Sequence, residues 1–340
     1  MQQAWHYRFG EPKSTGKLKA KPEHFVVVEE LGYEFTGEGE HLMVHIRKTG
    51  ENTQYVANEL AKACGVSSRE VSWAGLKDRH AVTEQWLSVH LPGQADPDLS
   101  EFVATHPGVE VLALRRHNKK LRPGDLQGNR FELRVTELDA KEDLDARLSQ
   151  IRDLGVPNYF GEQRFGHDGN NVTQAVRWGA GEIRVRDKKK RSFYLSAARS
   201  HLFNEVLSAR LIADMNLAPM TGDLLIDAQG QTQAWQGEMP ADWLLSGPMA
   251  GDNALPTQAD AQAFEQAILD QYPELLQVLR DNRMRQERRS LLLYPQAMQW
   301  SWQEGDLLVA FALPAGAYAT TVMRELAQLT SEDGRAYSAE

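Results

Sequence analysis

The sequence predicts an α+β protein, α/β in the broad sense, with a mainly antiparallel sheet, flanking helices and a more helical inserted domain. Three observations carry this. Short β-branched or alternating runs occupy both ends of the chain, near 18–31, 42–46, 130–136 and 300–313. The middle, from about 152 to 293, turns aperiodic and then helical. At 340 residues the chain exceeds what one core usually fills. The expected organisation is a discontinuous first domain, 1–151 plus 294–340, interrupted by a second at 152–293.

Residues 18–31 enter a strand through a turn, with Pro22 placed before the run Val26-Val27-Val28, where no ladder donor is needed. Gly37–His41 is a turn and Leu42–Ile46 a returning strand. Apolar positions at 56, 60 and 63 followed by Gly65 predict a helix over 53–64 with a glycine cap. Val71–Ala74 and Trp86–Leu91 read as strands. Phe131, Leu133 and Val135 alternate with polar residues, so 130–136 is a half-buried strand. Leu144, Leu148, Ile151 and Leu154 make 141–154 an amphipathic helix stopped at Gly155. Then 195–211 is helical, 215–260 loop-rich, 261–293 largely helical, 300–313 strand-rich, and 321–329 a short helix. Strand and helix do not alternate regularly, and neither GxGxxG nor GxxxxGK[ST] occurs, which argues against a nucleotide-cofactor fold.

One cysteine, Cys64, excludes an intrachain disulfide and a multi-cysteine zinc site. The histidines show no metal spacing, so no metal is expected. The apolar run Leu307–Leu313 is far shorter than the roughly 20 residues a membrane helix needs. The first residues hold no apolar stretch of a secretory signal, and a cytoplasmic location is expected. The net charge of −9 is unevenly spread. Segments 111–134, 184–191 and 280–289 carry +5, +5 and +3, leaving −22 on the remainder. A polyanion senses the local field, so an acidic protein built this way can still bind RNA; each run can equally be a solvated face.

Four stretches can carry chemistry. In Trp73–Trp86 a strand ends at Gly75 and a tight loop sets Asp78 between Lys77 and Arg79. Flanking cations favour a charged carboxylate, the form a nucleophile or base requires; the ordinary alternative is a turn or capping aspartate. In Gly124–Phe131, Asn129 offers a donor and an acceptor to a base edge and Phe131 a stacking ring, or else Phe131 is core beside a hairpin turn. Asn158–Gly166 interleaves aromatics with Arg164 and amides, as an unstacked base requires or as a hinge packed by its own rings. Leu313–Thr321 surrounds Tyr318 with small residues, for a flat ligand or a strand-to-helix corner.

Together GLKDRHAVTEQW, LQGNRF, VPNYFGEQRFG, RSFYLSAARSHLFNEVLSAR and LPAGAYATTVMREL resemble the TruD family of tRNA pseudouridine synthases, in order along nearly the whole chain. Its length resembles that of the bacterial branch. The resemblance implies a pseudouridine-synthase domain with an inserted TRUD domain, acting on tRNA without a cofactor. It places the catalytic aspartate at Asp78, a pairing lysine at Lys19 and a substrate-contacting ring at Phe25. Asn129 and Phe131 match the base site. Tyr318 fills an aromatic slot where a close bacterial relative would carry Phe. It points to the uridine at position 13 of tRNA, and no protein partner is evident. The basic runs assign tRNA backbone contacts to Arg115, Arg116, Lys119, Lys120, Lys188, Lys189, Lys190 and Arg191.

Pseudouridylation breaks the C1′–N1 bond, turns the uracil and rejoins it through C5. The uridine must leave the stack. A carboxylate can then act at C1′ as nucleophile or as base, so an acylal-type adduct and elimination to a glycal are both compatible. Two rivals remain on the residues alone: a non-catalytic RNA-binding protein, for which Asp78 would be dispensable, and a hydrolytic glycosidase, which would need a second acid nearby.

Overall fold

A computed structural model describes residues 5–330. Strand β1 (Thr15–Leu18) ends at Lys19, whose φ of 65° turns the chain toward a short 3-10 helix at Pro22–His24. There follow β2 (Phe25–Leu31) and β3 (His41–Thr49). Helix α1 (Thr53–Ala63) starts at Asn52, whose side chain accepts the Gln54 N–H, and it buries Val56, Ala57, Leu60 and Ala61. Strands β4 (Val71–Trp73) and β5 (Val82–His90) form an antiparallel hairpin whose connection holds Asp78. Next come α2 (Ser100–Thr105), β6 (Val109–His117) and β7 (Leu126–Thr136). Helix α3 (Leu144–Leu154) stops at Gly155, where φ is 73°.

After β8 (Val156–Pro157) the chain builds α4 (Asn170–Gly179), the long α5 (Lys188–Ala213), and three strands, β9 (Leu224–Ile226), β10 (Thr232–Ala234) and β11 (Leu244–Met249). Helices α6 (Ala259–Leu269) and α7 (Pro273–Asp281) precede β12 (Glu287–Ser290) and β13 (Leu292–Leu293). The chain then returns through β14 (Gln296–Gln303), β15 (Asp306–Pro314), α8 (Ala319–Arg324) and β16 (Gln328–Thr330).

The principal sheet has ten strands, ordered β14-β15-β7-β2-β5-β3-β6, with β1 beside β7, β16 beside β1 and β4 beside β5. Among the pairings, β2 with β5 and β1 with β16 are parallel and the others antiparallel. The register aligns Phe311, Phe131, Val27, Thr83 and Lys48 in one row across it. Residues paired across a ladder share a face. At the Phe131 end, α3 and α8 cover that face through Leu144, Leu148, Ile151, Val322 and Met323. Near Lys48, α1 and α2 cover it through Val56, Leu60 and Phe102. Residues 156–293 carry separate clusters around Phe203 and Leu207 and around Leu202, Val206 and Leu279.

Several expected bounds shift. The helix expected over 195–211 begins at Lys188, because Asp187 accepts the Lys190 N–H at 2.8 Å and caps a turn made of cations. The stretch 261–293 is helical only to Asp281, and 287–293 forms strands that pair with β11 and β8. The helix expected over 321–329 ends at Arg324 and is followed by β16. The loop-rich 215–260 contains β9, β10 and β11. The basic run 111–134 spans most of β6, a loop that carries Lys119, Lys120 and Arg122, and most of β7.

Candidate active site

The 74–81 connection is tied down on several sides. Lys77 Nζ reaches Glu29 Oε1 at 3.0 Å, and Glu29 Oε2 accepts the Trp86 N–H at 2.9 Å. The Lys77 N–H reaches Thr53 Oγ1 at 3.2 Å, Thr53 donates to Gln85, and Gln85 Nε2 donates to the Gly75 carbonyl at 3.1 Å. Lys48, wholly buried, donates from Nζ to the Asp78 and Lys77 carbonyls at 3.0 and 3.3 Å. Burial pushes the Lys48 ammonium down to about 8, against the opposing pull of the Asp78 charge. The loop is therefore held by its backbone, leaving the Asp78 carboxylate to other work.

That carboxylate pairs with Lys19, with about a tenth of each side chain exposed. Its other oxygen accepts the His80 N–H at 2.8 Å, closing a local turn. The flanking cations do not perform the pairing expected of them. Lys77 turns to Glu29, and Arg79 Nε reaches the Gly50 carbonyl at 2.9 Å. Lys19 sits in the left-handed region, which is costly for a residue with a Cβ. Its ammonium also lies 5.4 Å from the Phe25 ring centroid.

Asn129 and Phe131 stand on β7 opposite Glu29 and Val27, on the face that Phe25 shares. Asn129 Oδ1 is buried and accepts no hydrogen bond, an unmet acceptor beside the Glu29–Lys77 pair. Phe131 is 6% exposed and packs on Phe25 and Phe311, with centroids 6.3 and 5.6 Å away. It is a core ring in this state. No hairpin precedes it, since β6 pairs with β3 and β7 with β2. Gly128 is required by the chain itself, because a Cβ there would come within 2.4 Å of the Leu313 carbonyl.

Tyr318 precedes α8 and is half-buried. Its hydroxyl accepts from Arg164 Nη2 at 2.7 Å, a bond that Phe in this slot could not make. In the 158–166 stretch Tyr159, Phe160 and Phe165 are buried, so it presents Glu162, Gln163 and the half-buried Arg164 and not its rings. Arg289 lies over Phe160 at 4.0 Å and donates to the Asn158 side chain and the Gly316 carbonyl. Burial lowers Arg289 to about 10, opposed by Tyr318 and assisted by Arg164.

Of the expected backbone-binding residues, Arg115, Lys119, Lys120 and Lys188–Arg191 are exposed. Arg116 is spent on Asp96 at 2.8 Å and on the carbonyls of Gly39, Leu91 and Gln94. A cleft of about 560 Å³ between Trp5, Phe160, Arg324 and Lys17 does not include Asp78. Among the described residues no group of three or more His, Cys, Asp or Glu could hold a metal ion, and no helix is long and apolar enough to cross a membrane.

Lys48, Glu29 and Arg289 were not singled out by the sequence. Two of them had a legible signal. Lys48 continues the inward positions 42, 44 and 46 of its strand, and Glu29 continues 25 and 27. A charge at a core position is costly unless it is satisfied or used.

The family model described as tRNA pseudouridine synthase D (TruD) matches residues 3–177 and 179–326. A tRNA pseudouridine synthase D of Photobacterium profundum is 57% identical over 344 residues, covering 98% of this chain and 96% of the relative. One from Vibrio campbellii is 54% identical over 332 residues, with 94% of each chain covered. A crystal structure bearing the same TruD description, from Methanosarcina mazei, superposes with a TM-score of 0.74 over 97% of each chain, at 22% identity, and supports the fold alone. On the family match and these relatives, the chain belongs to the TruD family of tRNA pseudouridine synthases.

Proposed function

We propose that this chain converts uridine to pseudouridine in tRNA, at position 13 as the family resemblance implies, with Asp78 as the catalytic carboxylate. The observation that carries the reading is the Asp78 loop. Lys48, Thr53 and Gln85 hold its backbone while Lys19 alone among the expected residues pairs with the carboxylate. The target uridine leaves the stack and presents C1′ to Asp78. The C1′–N1 bond breaks, by attack of the carboxylate on C1′ or by its removal of the C2′ proton, which returns to C2′ when the C1′–C5 bond forms. Lys19 offsets negative charge at the carboxylate when it departs. The uracil turns without leaving, a C1′–C5 bond forms, the C5 proton passes to solvent and N1 takes up a proton. Atoms and electrons balance within the nucleotide, so no cofactor is called for.

Asn129 Oδ1 is suited to the N3–H of the detached ring, which would satisfy its unmet acceptor. Phe131 contacts that ring by reorienting from the core or by an exposed edge, and Tyr318 flanks it. The proposed domain division is a catalytic part, 1–151 plus 294–340, and an insertion, 152–293, with independent hydrophobic clusters as its support. The compartment expected for such a substrate is the cytoplasm.

The test is Asp78→Asn with tRNA carrying 5-tritiated uridine. Tritium release should fall at least about a thousandfold, since nothing replaces the carboxylate, while tRNA affinity stays within a few-fold. Wild-type release would remove Asp78 from the chemistry. Mapping pseudouridine in tRNA from cells with and without the protein tests the position.

A further inference from the structure

A second cleft, about 410 Å³, opens on α5, away from Asp78 in the sequence. One face of the helix lines it through Lys188, Arg191, Ser192, Leu195, Ser196 and Arg199, and Met249 and Met284 form the opposite wall. Its volume falls within the roughly 300–1,000 Å³ of small-molecule sites. Two of the three basic segments of the sequence meet here. Arg191 donates to Asn282 at 2.7 Å, and Arg199 donates to the Arg285 carbonyl at 3.0 Å. Arg199 Nε is buried with no hydrogen-bond partner.

Stability accounts for Arg191, which packs on the Trp178 ring at 5.2 Å, and for Arg199, which pairs with Glu287 at 3.0 Å, but not for Lys188 and Lys190. Lys188, Lys189, Lys190 and Arg191 occupy the first turn of α5, where the helix dipole is positive and each cation is unfavourable by about 0.3–1 kcal/mol. The capping Asp187 offsets only part of this. Cations on one rim, thioethers on the wall and hydroxyls between them match a nucleotide, with phosphate on the rim and base against sulfur and methylene groups. The cleft is also joined to the proposed uridine site. Arg164 donates to Ser196 Oγ at 2.9 Å through Nη1 and to the Tyr318 hydroxyl at 2.7 Å through Nη2.

We propose that this cleft is a second nucleotide subsite, which takes an unstacked nucleotide of the tRNA other than the reacting uridine. It rests on the reading of the chain as a tRNA-modifying enzyme. Arg164 then touches both subsites and sets their spacing, so the cleft measures where along the RNA the reacting uridine must lie. The interaction adds sequence tolerance at the second nucleotide, because a thioether wall accepts any base.

The full chain with unmodified tRNA provides the test. Irradiation at 254 nm followed by mass spectrometry should yield a nucleotide adduct on Met249, Met284 or a residue within 188–199. Ser192→Glu places a carboxylate in the cleft near a helix start, where it does not harm the helix. It should weaken tRNA binding at least about tenfold beyond Gln150→Glu, the same charge change on the exposed face of α3. Adducts confined to other regions, or equal affinities of the two variants, would overturn the subsite while leaving the synthase reading intact. Failure of the wild-type chain to bind any tRNA at low salt would overturn both.

Discussion

Lys48 concentrates several physical effects in one side chain. A fully buried ammonium is stabilised here by two carbonyls of the Asp78 loop, and burial brings it down to about 8 from 10.5. Between those values the unfolded chain retains a proton that the folded chain has released. The folded state therefore gains stability relative to the unfolded as pH rises through that window. In Lys48→Met this gain should be absent, so urea unfolding at pH 7.5 and 9.5 should show a smaller upward change than in wild type. The variant should also lose at least about tenfold in tritium release, because a displaced loop misplaces the carboxylate. A wild-type rate would make Lys48 a core residue without influence on the site. Phe131 raises a related issue. Its burial means that Phe131→Ala destabilises by about 3–5 kcal/mol whether or not it touches substrate. Phe131→Leu and Phe131→Tyr separate the roles. If the ring stacks on uracil, Tyr should retain far more activity than Leu at matched stability, and equal activities would leave Phe131 as core.

Helix α5 shows at the scale of an element how binding and stability can pull apart. Its cationic first turn opposes the helix dipole, and its lower half is buried through Leu202, Phe203, Val206 and Leu207. Replacing Lys188, Lys189 and Lys190 with Gln should raise the melting temperature by relieving about 0.3–1 kcal/mol per cation. The same change should weaken all tRNAs alike and flatten the dependence of log affinity on log salt by about 0.7–0.9 for each phosphate no longer neutralised. Calorimetry and filter binding read the two effects separately. An unchanged salt slope would make this turn a solvated face and leave RNA binding to the 115–122 and 280–289 segments.

Across the whole molecule, the segment before β1 straps two regions of the chain together. Trp5 Nε1 donates to Glu205 on α5, and its ring stacks on Tyr159 at 5.6 Å and packs on Phe165 at 5.4 Å. The His6 N–H reaches Ser208 on α5, while the Arg8 and Phe9 N–H groups reach the buried Glu325 after α8. Arg147 on α3 donates to the Phe9 and Gly10 carbonyls. Trp5→Ala should cost about 2 kcal/mol in urea unfolding and hasten proteolysis of the 158–166 stretch. A loss below about 0.5 kcal/mol, the range of neutral surface changes, would show that the strap does not join the regions.

Some of this was determined by the sequence alone. The strands at Val26–Val28 and Phe131–Val135, the helices around Leu60 and Leu148, and the family-matching motifs depend on local periodicity and on short spacings, which the chain displays directly. The pairing of Asp78 with Lys19, 59 positions earlier, was accessible only through the family resemblance. Tertiary structure alone assigned Lys77 to Glu29 instead of Asp78, buried Lys48 beneath the loop, and engaged Arg116 in a carbonyl network. It also brought the basic segments near 188 and 285 to one cleft. The reason is the same in each case. Charged side chains choose partners by distance in the folded state, and burial selects among them, so neighbours in sequence carry little weight once the sheet register has been set.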